Sequence, residues 1–366
     1  MVKTSLHEYF EQVRDPRINR KKKHLLIDII VLSILAVLCG AESWDSIEEF
    51  GCSRKDFLKK ILSLPNGIPS HDTINRVFSL IKPEQFEKIF IEWTNSLREK
   101  GLSFEVLSID GKTIRGSKDT YHKKSPIHLV SMWSNANGLT LGQRKVDGKT
   151  NEITVIPELL KMLNIEGCIV TIDAMGTQRN IAEAIIKQQA DYILALKGNH
   201  GYLREDVMAF CNRAHPNSTN QTIEKAHGRI ESRTCQVFNR IDMIENKDDW
   251  KNLRSIIRID AIRKIAEKQT SETRYYISSL NAEAADFNKF IRQHWGIENS
   301  LHWTLDMVFR EDEQRKRNGF AAENFAIVRK IALNLLKKEN SKNMSLVTKR
   351  LKAAWDINFL LKILKI

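Results

Sequence analysis

The chain has 366 residues, 42% of them apolar and 28% charged, with only 7 Pro and 16 Gly. This excludes collagen-like and long disordered chains, and the length exceeds the ~150 residues expected of one domain. Lys and Arg number 58 against 45 Asp and Glu, a net charge of +13, which points to a polyanionic partner, nucleic acid first. The five cysteines, Cys39, Cys52, Cys168, Cys211 and Cys235, are scattered; they suggest neither a disulfide framework nor a zinc knuckle and fit a reducing cytoplasm.

Residues 5–97 carry helical patterning, with runs at 25–39, 44–50, 54–62, 73–81 and 86–97 and a break at Pro65-Asn66-Gly67-Ile68-Pro69. The run at 25–39 is interrupted by Asp28 and Ser33 and is shorter than the ~20 residues a bilayer needs, so it reads as a buried helix and no membrane partner is expected. The basic stretch from Arg20 to Lys23 imitates the start of a signal peptide, but the internal Asp, the long preceding segment and the lack of a small-residue cleavage site oppose export. After the break, Ser70 and Asp72 can cap a helix opened by Thr73, Asn75 and Arg76. That helix has two readings: the recognition helix of a helix-turn-helix, with those three side chains at base edges, or a surface helix packing Ile74, Val77 and Phe78 inward.

From 101 onward the texture changes to β-like runs at 105–109, 128–134 and 139–146, then a helix at 153–163, a strand at 168–172, a helix at 178–188 and a strand at 191–196. This β-β-β-α-β-α-β order predicts a mixed sheet with helices on its faces, as in an RNase H-like core. Residues 202–285 turn β-rich, with runs at 234–239, 255–262 and 274–278, and a long helix then starts near Asp286 and runs past Trp303. The predicted organisation is an all-α N-terminal DNA-binding domain (1–98), a catalytic domain (99–340) with a β-rich insertion (201–285), and a basic helical tail (341–366).

Asp110 closes the apolar strand Val106-Leu107-Ser108-Ile109 and Asp173 closes Ile169-Val170-Thr171-Ile172. Carboxylates at the ends of buried strands are costly to desolvate unless paired or bound to a cation, so two side by side would form a metal site. The alternatives are a hairpin turn at Asp110-Gly111 and a helix cap at Asp173. A third element carries His294, Glu298 and His302 at i, i+4 and i+8, roughly on one helical face. It reads as a zinc site lacking the His-Glu-x-x-His order, as a source of one further carboxylate, Glu298, or as a solvated face. Glu152 is a rival third carboxylate, better explained as a first-turn acid.

Six blocks in order resemble the H-repeat-associated (ISAs-type) family of bacterial insertion-sequence DDE transposases, nearly end to end. They are Ser108-Ile109-Asp110-Gly111-Lys112-Thr113-Ile114-Arg115-Gly116, Lys149-Thr150-Asn151-Glu152-Ile153, Asp173-Ala174-Met175-Gly176-Thr177-Gln178, Leu196-Lys197-Gly198-Asn199-His200, His227-Gly228-Arg229-Ile230-Glu231-Ser232-Arg233, and the run from His294 to Trp303. The resemblance implies an RNase H-like core, a DDE triad at Asp110, Asp173 and Glu298, two Mg²⁺ ions with Mn²⁺ able to substitute, and cleavage and joining of double-stranded DNA at element ends and target. It also implies a homodimer in the DNA complex and a cytoplasmic, nucleoid-associated protein. Hairpin-forming relatives carry Tyr, Arg and Lys around the glutamate where this chain has Ile291, His294 and Leu305, so a hairpin intermediate is not implied.

Candidate DNA contacts beside the triad are Lys112, Arg115, Lys197, His200, Arg229, Arg233, His294 and His302. Trp295 and Trp303 are candidates to stack on a flipped base, or core residues. A hydrolytic nuclease of the same fold and an inactive DNA-binding remnant are the competing functions.

Overall fold

A computed structural model of the chain describes residues 5–19, 22–99, 101–102, 104–147, 151–226, 228–341 and 344–364. Arg20, Lys149, Thr150 and His227, singled out in the sequence, lie outside the described residues. The N-terminal part is helical: α1 (Ser5–Phe10), α2 (Leu26–Leu38), α3 (Trp44–Ser53), α4 (Lys55–Leu58), α5 (His71–Leu80) and α6 (Pro83–Leu97). In α2 the apolar run is buried almost throughout, and the Asp28 that interrupts it accepts hydrogen bonds from the backbone of Ser63 at 3.1 Å and Leu64 at 2.8 Å. A buried carboxylate is tolerated because it satisfies loop N–H groups. No helix among the described residues is long and apolar enough to cross a membrane.

The central part begins with β1 (Val106–Thr113), β2 (His128–Ser134) and β3 (Leu139–Val146), and continues through α7 (Glu152–Lys161), β4 (Ile169–Ile172), α8 (Arg179–Lys187), β5 (Asp191–Leu196) and α9 (Gly201–Arg213). Four further strands follow, β6 (Ser218–Ala226), β7 (Arg229–Phe238), β8 (Ser255–Ile265) and β9 (Lys268–Ser278), then α10 (Ala284–Gly296), a π-helical segment (Ile297–His302) and α11 (Trp303–Met307). The strands form one nine-stranded sheet among the described residues, in the order β3-β2-β1-β4-β5-β9-β8-β7-β6. β1, β4 and β5 are parallel and β2 and β3 antiparallel, which is the RNase H-like arrangement the strand order predicted. The β-rich segment extends this sheet: β9 pairs antiparallel with β5, Ala195 opposite Tyr276.

Alternation along the strands gives the sheet two faces. Leu107, Ile109, Val170 and Ile172 pack with α7, α8 and α9 on one; Val106, Ile169, Ile193 and Val237 pack with Phe287, Phe290 and Ile291 of α10 on the other.

The chain ends with α12 (Ala321–Lys338), α13 (Leu346–Trp355) and α14 (Ile357–Ile363). The segment expected as a basic tail is packed: Ala353, Phe359, Leu360 and Ile363 share one core with α1–α6 and with Phe325, Ile331 and Leu336 of α12. Their apolar residues recur at helical spacing and cover the otherwise exposed side of α12.

Candidate active site

Register sets the first two carboxylates. Ile109 lies opposite Ile172 in the parallel β1–β4 pair, so Asp110 and Asp173, the next residue on each strand, emerge side by side. Asp110 does not end its strand as expected, nor does Asp110-Gly111 form a hairpin turn. β1 runs on to Thr113 with Gly111 opposite Val130 and Thr113 opposite His128, because β2 is long enough to keep pairing it. Asp173 does follow the last residue of β4, and its Oδ1 accepts from the backbone of Met175 at 3.0 Å and Gly176 at 3.4 Å. It therefore caps the turn after β4, while Gln178 stands at the N-terminus of α8.

Glu298 sits in the π-helical segment and lines the same cleft as Asp110, Asp173, Lys197, Arg274 and His294, a cavity of about 170 Å³. Burial, reinforced by the Asp110 charge, raises the Glu298 carboxyl above the ordinary range. His294 Nδ1 is 2.9 Å from Thr171 Oγ1, and Thr171 Oγ1 is 3.2 Å from Ser108 Oγ, which accepts from Asn135 Nδ2 at 2.8 Å. Burial lowers His294 below the usual imidazole range, although the Asp110 and Asp173 charges oppose it. His302 Nδ1 lies 3.4 Å from Asp110 Oδ2. Among the described residues no three His, Cys, Asp or Glu side chains stand grouped to hold a metal ion, so the zinc reading of the histidine face is not what the structure forms; His294 is engaged by Thr171 instead.

Glu152 is on the other face. Its Oε1 lies 2.6 Å from His128 Nε2, and a β-carbon on Gly111 would come within 2.1 Å of it. It starts α7, as its first-turn reading expects, and is separated from the acidic cleft by the sheet.

The candidate DNA contacts divide. Lys197 is exposed at the cleft, and the Arg115 side chain is 85% exposed with Nε 3.4 Å from Asp312. Lys112 is not available to phosphate: its amine lies 2.7 Å from Asp306, 3.2 Å from Glu311 and 3.2 Å from Asp312, and these carboxylates raise its pKa. Strand alternation turns it toward the acidic run Glu311-Asp312-Glu313, a pairing visible only in the fold. His200 is turned to the Ala174 carbonyl at 3.4 Å and packs edge-on against Trp250. Arg229 and Arg233 line a second, larger groove.

Trp295 stacks under the Arg274 guanidinium at 5.0 Å, whereas Trp303 is 58% exposed. In α5, capped by Ser70, Ile74, Val77 and Phe78 are buried; Thr73 and Asn75 are half-buried and Arg76 is exposed. Asn135 and Arg274 were not singled out in the sequence, and Asp306 was noted only as a member of the helix that carries His294 and Glu298. Arg274 alone had a signal there, as a cation in a β-run beside apolar residues.

Comparison with known proteins bears on this architecture. The family model described as Transposase DDE domain matches residues 102–335, and that described as DDE_Tnp_1-associated matches residues 7–94. The chain is 42% identical to the "H repeat-associated putative transposase YhhI" of Escherichia coli (strain K12), covering 98% of this chain and 97% of that protein. It is 44% identical to the "Putative transposase YncI" of Escherichia coli O157:H7, over 91% and 87% respectively. A solved piggyBac transposase synaptic complex with hairpin DNA aligns with 99% of this chain and 77% of its own, at 14% identity and a TM-score of 0.46. With a matching transposase domain over most of its length and relatives that align from end to end, the chain belongs to the DDE transposase family.

Proposed function

We propose that this transposase cleaves DNA strands at the ends of its own element and joins the freed 3′ hydroxyls to target DNA, with Asp110, Asp173 and Glu298 as the catalytic carboxylates. The observation that carries the reading is the convergence of two aspartates, one within β1 and one just after β4, set side by side by the β1–β4 register, and a glutamate from the helix across them in one cleft.

Among the described residues Asp110, Asp173 and Glu298 line one cleft without being grouped closely enough to hold an ion as they stand. All three offer hard oxygen, so drawn together they would hold two Mg²⁺ ions, or Mn²⁺ in their place, and the mutual repulsion of Asp110 and Glu298 is what a divalent cation would relieve. When bound, such ions activate the attacking oxygen and stabilise the leaving one. The protein's own groups orient the site. Backbone N–H groups of Met175 and Gly176 fix Asp173, the His302 ring stands against Asp110, and Lys197 supplies positive charge for the scissile phosphate. The partner is double-stranded DNA at element ends and target, with a homodimer as the working assembly and the nucleoid as its place in the cell.

The test is strand cleavage and joining on element-end DNA. Asp110→Asn, Asp173→Asn and Glu298→Gln should each reduce Mg²⁺-dependent cleavage by at least about 10³-fold and leave end binding intact. Wild-type cleavage by any one of them removes that residue from the triad. Cleavage by the wild-type protein without joined products would make it a hydrolytic nuclease instead.

A further inference from the structure

The sheet face that carries Asp110 and Asp173 continues past β5 into a second cavity, about 870 Å³, between β7–β9 and the α10–π segment. The two cavities share Glu272, Arg274 and Trp295, and Trp295 precedes Glu298 by three positions. Register determines the lining. Arg233 of β7 is opposite Ala261 of β8, which is opposite Glu272 of β9; two residues further out, Glu231 is opposite Arg263 and Arg263 opposite Thr270. By alternation Arg229 and Arg233 project on the side of Cys235 and Val237, the side packed on α10.

Five arginines line this groove, and only two are neutralised. Arg274 pairs with Glu272 at 2.7 Å, and Arg292 pairs with Glu231 at 3.3 Å and with Glu224. Arg229, Arg233 and Arg263 have no carboxylate within ion-pair distance among the described residues. Arg233 is the anomaly: it is 5% exposed, and its Nε and Nη2 are buried with no hydrogen-bond partner among the described residues. A guanidinium does not escape by losing its proton, so a buried, unpaired one is destabilising until an anion meets it. Two adjacent N–H groups in a fixed fork match phosphate oxygens.

We infer that this groove binds the phosphate backbone of a single DNA strand running on from the acidic cleft past Trp295, with Arg233 as its buried phosphate contact and Arg263 and then Arg229 further out along the strands. The inference rests on the reading of the acidic cleft as the place of DNA chemistry. A single strand is the occupant because the groove opens beside the carboxylates, sharing Glu272, Arg274 and Trp295 with their cleft, where one strand must be presented.

The experiment uses the full chain without divalent metal. It compares a DNA duplex that ends in a single-stranded arm with the same duplex blunt-ended, each titrated across a salt series. For the Arg233→Met, Arg263→Gln double variant, the slope of log affinity against log salt on the armed duplex should fall by about 1.4, roughly 0.7 for each lost single-strand phosphate contact. The slope on the blunt duplex should stay as in the wild type. In parallel, Arg233→Met alone should raise Tm, since it removes an unpaired buried charge. An unchanged slope on the armed duplex overturns the inference, an equal loss on both probes places these arginines on duplex DNA instead, and a lower Tm with unchanged slopes makes Arg233 a purely structural residue. Cleavage by Asp110→Asn is measured separately: if it persists, the reading of the acidic cleft fails while the slopes still decide the groove.

Discussion

Asn135, in the turn after β2, places its side-chain oxygen where a β-carbon on Gly296 would stand, 2.0 Å away. Gly296 has helical backbone angles, φ −61 and ψ −33, so its lack of a side chain serves close approach and not an unusual conformation. Asn135 cannot simply retreat, since its amide donates to Ser108 Oγ and to the Val106 carbonyl. Gly296→Ala should therefore cost about 1–3 kcal/mol of unfolding free energy and lower DNA cleavage by disturbing the Ser108–Thr171–His294 chain. In an Asn135→Ala background the same change should be neutral or stabilising by up to ~1 kcal/mol, as alanine in a helix normally is. Urea unfolding of the four proteins checks this, and equal costs in both backgrounds would refute it.

Lys112 holds together three carboxylates from the far end of the chain, and Glu311, 1% exposed, also lies 3.7 Å from Arg329 of α12. Removing the cation leaves buried Glu311 with only the longer Arg329 contact and deprives Asp306 of the amine it pairs with. Lys112→Ala should cost about 3–5 kcal/mol, whereas Arg115→Ala, on an exposed side chain, should stay within about 0.5 kcal/mol. Denaturant midpoints distinguish the two, and equal effects would mean the carboxylate cluster is solvated.

Stability should also depend on two buried glutamates. Burial pushes Glu87 up to about 7 against the pull of Arg144 at 2.8 Å, and Glu323 up to about 7 against Lys145 at 3.7 Å. Their folded values lie above the ordinary 4.5, so the folded chain keeps protons that the unfolded chain has released. Their contribution is fully present below pH 4.5 and is lost as pH rises through about 7. The Glu87→Gln, Glu323→Gln double variant should lose less stability than the wild type between pH 5 and 8, by on the order of 1–2 kcal/mol. Parallel loss in both proteins would show that these groups titrate normally.

Removing residues 1–97 would strip α12 of the helices it packs on, among them Ile34, Phe78 and Phe90. The shortened chain should fail to unfold cooperatively and should aggregate. A folded, monomeric product in size-exclusion chromatography and calorimetry would contradict this. Sequence preference of the N-terminal helices is better tested by Arg76→Ala in the intact chain.

Much of the catalytic core was legible because its strands are buried runs with clear ends: β2, β3 and β5 fall on the residues their apolar pattern predicts. Asp173 follows β4 as its apolar run predicts, whereas Asp110 closes an apolar run but not its strand, which goes on to Thr113. The illegible parts lacked a pattern. The β6 strand, Ser-Thr-Asn-Gln-Thr-Ile-Glu-Lys-Ala, is a polar edge strand with no alternation to detect. The α9 helix buries only Val207 and Cys211, too few to stand out in a stretch read as β. The capture of Lys112 by Asp306, Glu311 and Asp312 joins residues nearly two hundred positions apart and leaves no local trace. The unpaired state of Arg233 likewise belongs to the register of three strands.

The π-helical segment holds its carboxylate on a different kind of backbone from the other two. Asp110 rides on β1, paired on one side with β2, and Asp173 directly follows β4 and is held by the backbone of Met175 and Gly176. Glu298 stands just after Gly296, the turn clamped by Asn135, on six residues wound wider than an α-helix. Returning such a segment to α geometry shifts the downstream helix by one residue, a rotation of about 100°. The winding of this one turn of helix therefore sets where Glu298 stands relative to the two aspartates.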